Sequence, residues 1–370
     1  MAALIHDIPR QQVTQAIDLL MDNLVNIKDE TGEFLLHLED GRIIDTKGWA
    51  GWEWTHGVGL FGMWRYYEQT GDKKALGIIK QWFEDRFAEG TPTKNINTVA
   101  PFITLAWLYE HEPNPSYIPY LDTWAEWLMA PDGLPKTEEG GFQHIVYNDE
   151  NPGEMWDDTL MMSVLPLAKI GLLLGRPQYV EEAKRQFLVH IKYLFDKKTG
   201  LWFHGWDFNG RHNFAEALWA RGNCWVTIAI PEIIEILDLP EGDAFRTFLI
   251  DTLAAQVKTL SETQDESGLW HTLVMDPTSY LEASATAGFA YGILKAVRKG
   301  YLPRHYEAVG IKAVKGVLAN IDDKGELQQV SFGTAMGDTL QFYKDIRLTS
   351  MPYGQSLAIC ALAEFLRTYI

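Results

Sequence analysis

Apolar residues recur at helical spacing along almost the whole chain, and the helical segments come in two kinds that alternate. The periodicity predicts twelve helices, near 9–28, 52–70, 72–88, 98–111, 114–130, 157–174, 177–195, 216–237, 242–261, 282–299, 303–320 and 351–369. One kind is rich in small residues and almost uncharged, as in Gly57-Val58-Gly59-Leu60-Phe61-Gly62-Met63, Ala283 to Gly292 and Tyr353 to Ala361. Such a segment has no face suited to water and reads as buried all round. The other kind, seen from Gly71 to Ala88, Pro177 to Phe195 and Pro303 to Asn320, carries Lys, Arg and Glu on one face and an apolar stripe on the other. Six of each predict an all-α fold, an (α/α)6 barrel with Gly- and Ala-lined inner helices that approach closely and six amphipathic helices outside. An open solenoid would repeat one motif at a fixed period of about 30–50 residues. The inner segments start near 52, 98, 157, 216, 282 and 351, spacings too long and uneven for that. No Pro/Ser/Gly-rich linker divides the chain, so a single barrel domain over residues 1–370 is expected.

The net charge of −18, with no basic cluster, argues against nucleic acid and against an anionic membrane surface. No segment approaches the roughly 18 apolar residues of a membrane span, and Met1 to Asp18 lacks the apolar stretch of a signal peptide. A cytoplasmic protein, monomeric or weakly self-associating, is the expectation. Cys224 and Cys360 are the only cysteines and lack metal-ligand spacing, so neither a disulfide framework nor a zinc site is expected, and no cofactor is implied.

In such a barrel the inner helices begin at one end, and the loops before them converge on one mouth. Those loops are polar and aromatic. They hold Trp49, Trp52, Glu53, Trp54 and His56, then Lys94, Asn95 and Asn97, then His144, Trp156, Asp157 and Asp158. His204, His212, Trp219, Arg221, Asn223 and Trp225 follow, with Trp270, His271, Glu282, Ser284, Arg347, Pro352 and Tyr353 after them. Asn97 and Ser284 also suit helix caps, and His56 and His271 also suit structural roles. The run Trp156-Asp157-Asp158-Thr159-Leu160-Met161-Met162 stands out. One Asp at a helix start is an ordinary cap, but two adjacent carboxyls behind an indole make an environment that shifts a carboxyl pKa by desolvation and like charge. Arg221 between Trp219 and Trp225 suits a carboxylate, which its planar fork binds bidentately; an ion pair with Glu216 or Glu282 is the alternative.

Taken together, Trp156 to Met162, His204-Gly205-Trp206, Trp219-Ala220-Arg221-Gly222-Asn223-Cys224-Trp225, Glu282 to Gly292 and Tyr353-Gly354-Gln355 resemble the unsaturated rhamnogalacturonyl hydrolases, glycoside hydrolase family 105, related to the unsaturated glucuronyl hydrolases of family 88. The resemblance runs from Trp49 to the last helix. It implies a cytoplasmic pectin-degradation enzyme acting on a small oligosaccharide, a 4,5-unsaturated galacturonic acid joined to rhamnose. It also implies unusual chemistry: a carboxylic acid protonates C4 of the vinyl ether, water adds at C5, and the resulting hemiketal opens and expels the partner sugar. Asp158 takes the acid and then the base role by motif match, with burial against Trp156 expected to keep it protonated near neutrality, and Asp157 capping the helix or supporting its neighbour. The implied substrate contacts are Trp52, His56, Asn97, His144, Trp156, His204, Trp219, Arg221 and Trp225, with Trp219 and Trp225 stacking on the sugar and Arg221 meeting the uronate. No metal is expected. One departure is Asn97, where many relatives carry Asp. An unsaturated glucuronyl hydrolase, or another (α/α)6 sugar enzyme such as an epimerase acting on saturated sugars, is the alternative reading.

Overall fold

The computed structural model describes residues 4–5 and 7–369. In chain order the helices are α1 (Arg10–Asn26), α2 (Trp54–Thr70), α3 (Lys73–Glu89), α4 (Phe102–His111), α5 (Ile118–Met129), α6 (Leu165–Leu173), α7 (Pro177–Leu194), α8 (Ala220–Ile236), α9 (Ala244–Thr263), α10 (Ala283–Arg298), α11 (Glu307–Ala319), a short α12 (Leu340–Asp345) and α13 (Pro352–Leu366). The small-residue helices α2, α4, α6, α8, α10 and α13 form a closed ring, each packed on the next and α13 returning to α2. The amphipathic helices α1, α3, α5, α7, α9 and α11 pack around them. This is the (α/α)6 arrangement that the alternation of segments predicts.

The burial follows the two sequence patterns. Every residue of α10 from Ala283 to Ala296 is buried, as is every residue of α13. In α7 the buried residues include Tyr179, Ala183, Gln186, Phe187, His190, Ile191 and Leu194, one stripe at spacings of three and four. The inner helices touch at backbone distance. A Cβ on Gly292 would lie 2.2 Å from the Thr227 carbonyl oxygen, and one on Gly57 would lie 2.8 Å from the Ala100 carbonyl carbon. Far from the mouth the ring is tied by charge. Buried Glu232 of α8 pairs with Arg65 of α2 and with Lys295 of α10, and also accepts the Tyr291 hydroxyl.

Three details differ from the sequence expectation. The sixth helix pair is not formed by neighbours in sequence: α1 is the outer partner of α13. The helix expected from 157 opens instead with a π-helical turn, Leu160–Val164, which runs into α6. Four two-stranded sheets also appear, pairing β1 (Leu4–Ile5) with β2 (Ile8–Pro9), β3 (Leu35–His37) with β4 (Ile43–Asp45), β5 (Glu154–Trp156) with β6 (Gly205–Asp207) and β7 (Trp270–His271) with β8 (Leu281–Glu282). Strands of two or three residues are too short to show a period of two. Their work is to join mouth loops: Trp156 pairs with Gly205, so the loop before α6 is laced to the loop that leads toward α8. Among the described residues no helix is long and apolar enough to cross a membrane.

The contact geometry predicts opposite outcomes for two Gly→Ala changes, measured by urea denaturation. Gly292→Ala must push α10 off α8 and is expected to cost about 3 kcal/mol. Gly77→Ala, on the exposed side of α3 with nothing within 4 Å of the new Cβ, is expected to gain about 0.5–1 kcal/mol through helix propensity and a stiffer unfolded chain.

Candidate active site

The loops before the inner helices enclose a cavity of about 510 Å3. Its walls are built by Glu53 and Trp54 at the start of α2, Asn97 before α4, His144, Trp156 and Asp158 before α6, and Trp219 and Arg221 at the start of α8. The loop from Gly333 through Thr334, Ala335 and Met336 to Asp338 closes another side, and Leu36 and Thr46 reach in from the β3–β4 hairpin.

Asp158 is held by the β5–β6 pairing. The Asp157 amide donates to the His204 carbonyl at 3.0 Å, which continues the ladder beyond Trp156 and sets His204 beside the carboxyls. His204 Nε2 faces Asp158 Oδ2 at 3.4 Å. Its Nδ1 lies 2.8 Å from the Tyr343 hydroxyl, which itself accepts the Gly337 amide at 3.2 Å. The same hydroxyl donates to Met336 Sδ at 3.7 Å. His144 stacks on Trp156 with ring centroids 4.2 Å apart and bonds Thr159 Oγ1 through Nδ1 at 2.9 Å. Burial pushes the His144 pKa down to about 3, so its ring is neutral.

The two carboxyls behave differently from each other and from the sequence expectation. Asp157 is fully buried beside Asp158, and the nearby backbone amides offset its burial only in small part. Burial, then the charge of Asp158, pushes its pKa well above the ordinary carboxyl range. Asp158 keeps 17% of its side chain exposed. Burial would raise its pKa too, but His204 and then the side chain of Asp157 outweigh it and hold Asp158 below the usual range. The site thus favours the proton on Asp157 over Asp158, where the sequence reading expects it, because His204 faces Asp158 and not its neighbour.

Glu53 is a further cavity carboxyl. It occupies the N-cap of α2, accepting the Trp54 amide at 3.1 Å, while its own amide donates to His56 Nδ1 at 3.0 Å. Burial raises its pKa to about 8, with the Trp54 amide and the Asn97 side chain only partly offsetting this. Glu53 is thus mostly protonated at neutral pH. Asn97 and Glu53 present a neutral pair where two carboxylates would repel.

Of the expected substrate contacts, Asn97, His144, Trp156, Trp219 and Arg221 line the cavity with Asp158, and His204 sits directly behind that carboxyl. Three do not line it. Trp52 packs in the core against Trp82, Phe87, Phe102 and Trp124, because the helix begins two residues later and Trp54 takes the cavity position. His56 is spent on the α2 cap and the Gly48 carbonyl. Trp225 lies wholly buried behind Trp54, edge-on at 5.6 Å. Arg221 lines the wall, yet its fork is occupied: Nη1 bonds Ser331 O and Oγ, Nη2 bonds Phe332 O and Thr334 Oγ1, and Glu282 lies 3.6 Å away. It fastens the Gly333–Asp338 wall rather than offering a free fork to a carboxylate. That loop carries no periodic signal, and the ion-pair partners that the sequence offered for Arg221, Glu216 and Glu282, do not point to it.

The pattern of the family described as Glycosyl Hydrolase Family 88 matches residues 26–369. The chain is 32% identical over 321 residues to the unsaturated rhamnogalacturonyl hydrolase YesR of Bacillus subtilis, covering 86% of this chain and 90% of that protein. It is 25% identical to an unsaturated 3S-rhamnoglycuronyl hydrolase of Alteromonas, covering 85% and 77%. A crystal structure from Salmonella enterica serovar Paratyphi A, described as a possible member of the GH105 family, is 62% identical, with a TM-score of 0.97 over 100% of this chain and 97% of that one. The unsaturated glucuronyl hydrolase of Bacillus sp. GL1, 17% identical with a TM-score of 0.71 over 97% of each chain, shares the fold.

Two outcomes follow from the electrostatics. Burial depresses His56, His144 and His190 to about 4, 3 and 4, so each binds its proton more weakly folded than unfolded. Their stabilisation is present above about pH 6.5 and lost as pH falls toward 4. Glu53 has the opposite sign: with its folded pKa raised, its contribution is full below about 4.5 and lost as pH rises through 8. Urea midpoints measured from pH 4 to 9 are expected to fall on both sides, and Glu53→Gln is expected to flatten only the alkaline limb. Arg221→Lys keeps the charge but not the fork, so hydrogen exchange at the Phe332 and Gly337 amides is expected to accelerate; unchanged exchange would remove Arg221 as the anchor.

Proposed function

The chain belongs to glycosyl hydrolase family 88 and, within it, resembles the family 105 group of unsaturated rhamnogalacturonyl hydrolases; from that premise we propose that it releases a 4,5-unsaturated galacturonic acid from rhamnose by hydrating the C4=C5 vinyl ether, with Asp158 as acid and then base. The observation that carries this reading is the setting of Asp158: a carboxyl open to the cavity, backed by His204 Nε2 and framed by the rings of His144 and Trp156. A cavity of about 510 Å3 accommodates a disaccharide.

In the reaction Asp158, carrying a proton, delivers it to C4, and positive charge develops over C5 and the ring oxygen. The Arg221 guanidinium already lies over the Trp219 ring at 4.8 Å, so the developing charge is met instead by the Asp158 carboxylate that the proton transfer leaves behind. Asp158, now a carboxylate beside His204 Nε2, takes a proton from the water that adds to C5. The hemiketal opens and the partner sugar leaves. Because the groups around Asp158 hold it below the ordinary carboxyl range, the acid step depends on a proton being delivered to it. Because one carboxyl serves in both steps, the separation rule for paired carboxylates in ordinary glycosidases does not govern this site. The neutral Glu53–Asn97 pair supports an anionic substrate by removing one negative charge from a wall that also holds Glu154 and Asp338.

The test is a purified-protein assay with unsaturated galacturonyl-rhamnose, an unsaturated glucuronyl disaccharide and a saturated galacturonyl disaccharide, following the ultraviolet absorbance of the conjugated double bond. Loss of absorbance with release of rhamnose from the first is expected. Reaction of the glucuronyl compound alone would move the assignment to that substrate, and reaction of the saturated one alone would overturn vinyl-ether hydration. Asp158→Asn is expected to lower kcat by about 10^2–10^4 with the circular dichroism spectrum unchanged; retained turnover would remove Asp158 from the acid/base role.

A further inference from the structure

The acid step needs a proton on Asp158, yet the groups around Asp158 favour its carboxylate. Asp157 is where the geometry keeps that proton. Its side chain is 0% exposed, and no cationic side chain pairs with it. An ionised carboxylate so placed would be uncompensated in a low-dielectric interior, a state proteins avoid by binding a proton. The space is made to fit a carboxyl and nothing more: Gly222 of α8 lies against it, and a Cβ there would come within 2.5 Å of Asp157 Oδ2. Oxygen atoms of Asp157 and Asp158 and a ring nitrogen of His204 all fall within 4.8 Å of one another.

Other titratable groups lie within electrostatic reach of Asp157, namely Cys224 from α8 and Tyr343 from α12. Burial pushes both upward, so both stay neutral near pH 7 and neither supplies nor takes the proton. Asp158 and His204 remain as exchange partners.

We propose that Asp157 is the proton store of the site, a positioning residue that acts through Asp158 by passing it one proton for each turnover and receiving it back. The inference rests on the acid/base reading of Asp158. In sequence, the Asp157 carboxyl gives its proton to Asp158; Asp158 gives it to C4; the water oxygen bonds to C5 and its proton goes to Asp158; and from there it returns to Asp157. One proton enters the sugar and one leaves the water, so the pair ends as it began.

The test compares pH profiles of kcat/KM for the wild type and for Asp157→Asn, which preserves shape. Without the store, Asp158 must take its proton from solvent against His204, and activity should fall about tenfold per pH unit from a lower starting pH. We expect a basic limb moved down by at least about one unit, a drop of at least about tenfold at pH 7, and recovery toward the wild-type rate in acid. A merely structural role would lower the rate at every pH, and a profile parallel to the wild type would overturn the proposal. A second measurement needs neither variant nor substrate. The infrared spectrum of the wild type at pH 9, above the point where Glu53 ionises, should retain a buried carboxylic-acid C=O band. Its absence would overturn the stored proton, whereas its presence in a protein inactive on every sugar tried would leave the proton pair standing and remove the catalytic reading instead.

Discussion

Backbone contact between inner helices is the constraint on which the rest depends. A ring of six helices closes only if each can touch two neighbours, and here Gly57 against Ala100, Gly288 against Cys224 and Gly292 against Thr227 leave no room for even a methyl group. The closeness has two effects. It brings the starts of the inner helices together so that five loops share one cavity, and it buries the opposite ends deeply enough that Glu232, Arg65 and Lys295 must satisfy one another. Charge there contributes register more than net stability, since the cost of desolvating such a group offsets much of its attraction.

Much of this was legible from residue order. A segment buried all round looks different from an amphipathic one, so inner and outer helices separated without any knowledge of contacts. Asp158, His144, Trp156, His204 and Trp219 were legible as a group because polar and aromatic side chains recurred at successive inner-helix starts. What failed depended on partners far away in the chain. In Trp52-Glu53-Trp54 the indole that faces the cavity depends on where the helix begins, and a two-residue difference sent Trp52 to the core and Trp54 to the wall. The occupation of Arg221 by residues 331–334 lies 110 residues downstream or more. The division of one proton between Asp157 and Asp158 turns on His204 facing only the second of them, and α12, whose Tyr343 holds the other ring nitrogen of that histidine, is too short to announce itself.

The cavity holds its acidity in an unusual way. Glu53, Glu154, Asp158 and Asp338 all line it, and the one arginine in the wall is committed to the loop it fastens. Part of the charge is removed by protons instead of cations, at Glu53 on one side and at Asp157 behind the wall on the other. A proton neutralises a carboxyl without occupying volume, which leaves the space open for a sugar.

The pairing of α1 with α13 has a kinetic consequence. Asn23 and Gln355 bond across 332 residues of chain, and Gln69 and Ala363 across 294, so the last contact that closes the ring spans nearly the whole polypeptide. Helical proteins fold fast when their contacts are local, because little chain entropy is lost before contacts form. This one is helical in content but not in contact order. Its outer hairpins can form early, while α2 and α10 wait with apolar faces uncovered until α13 settles between them and α1, and the rate of that single docking step governs how long the unfinished ring is exposed to aggregation.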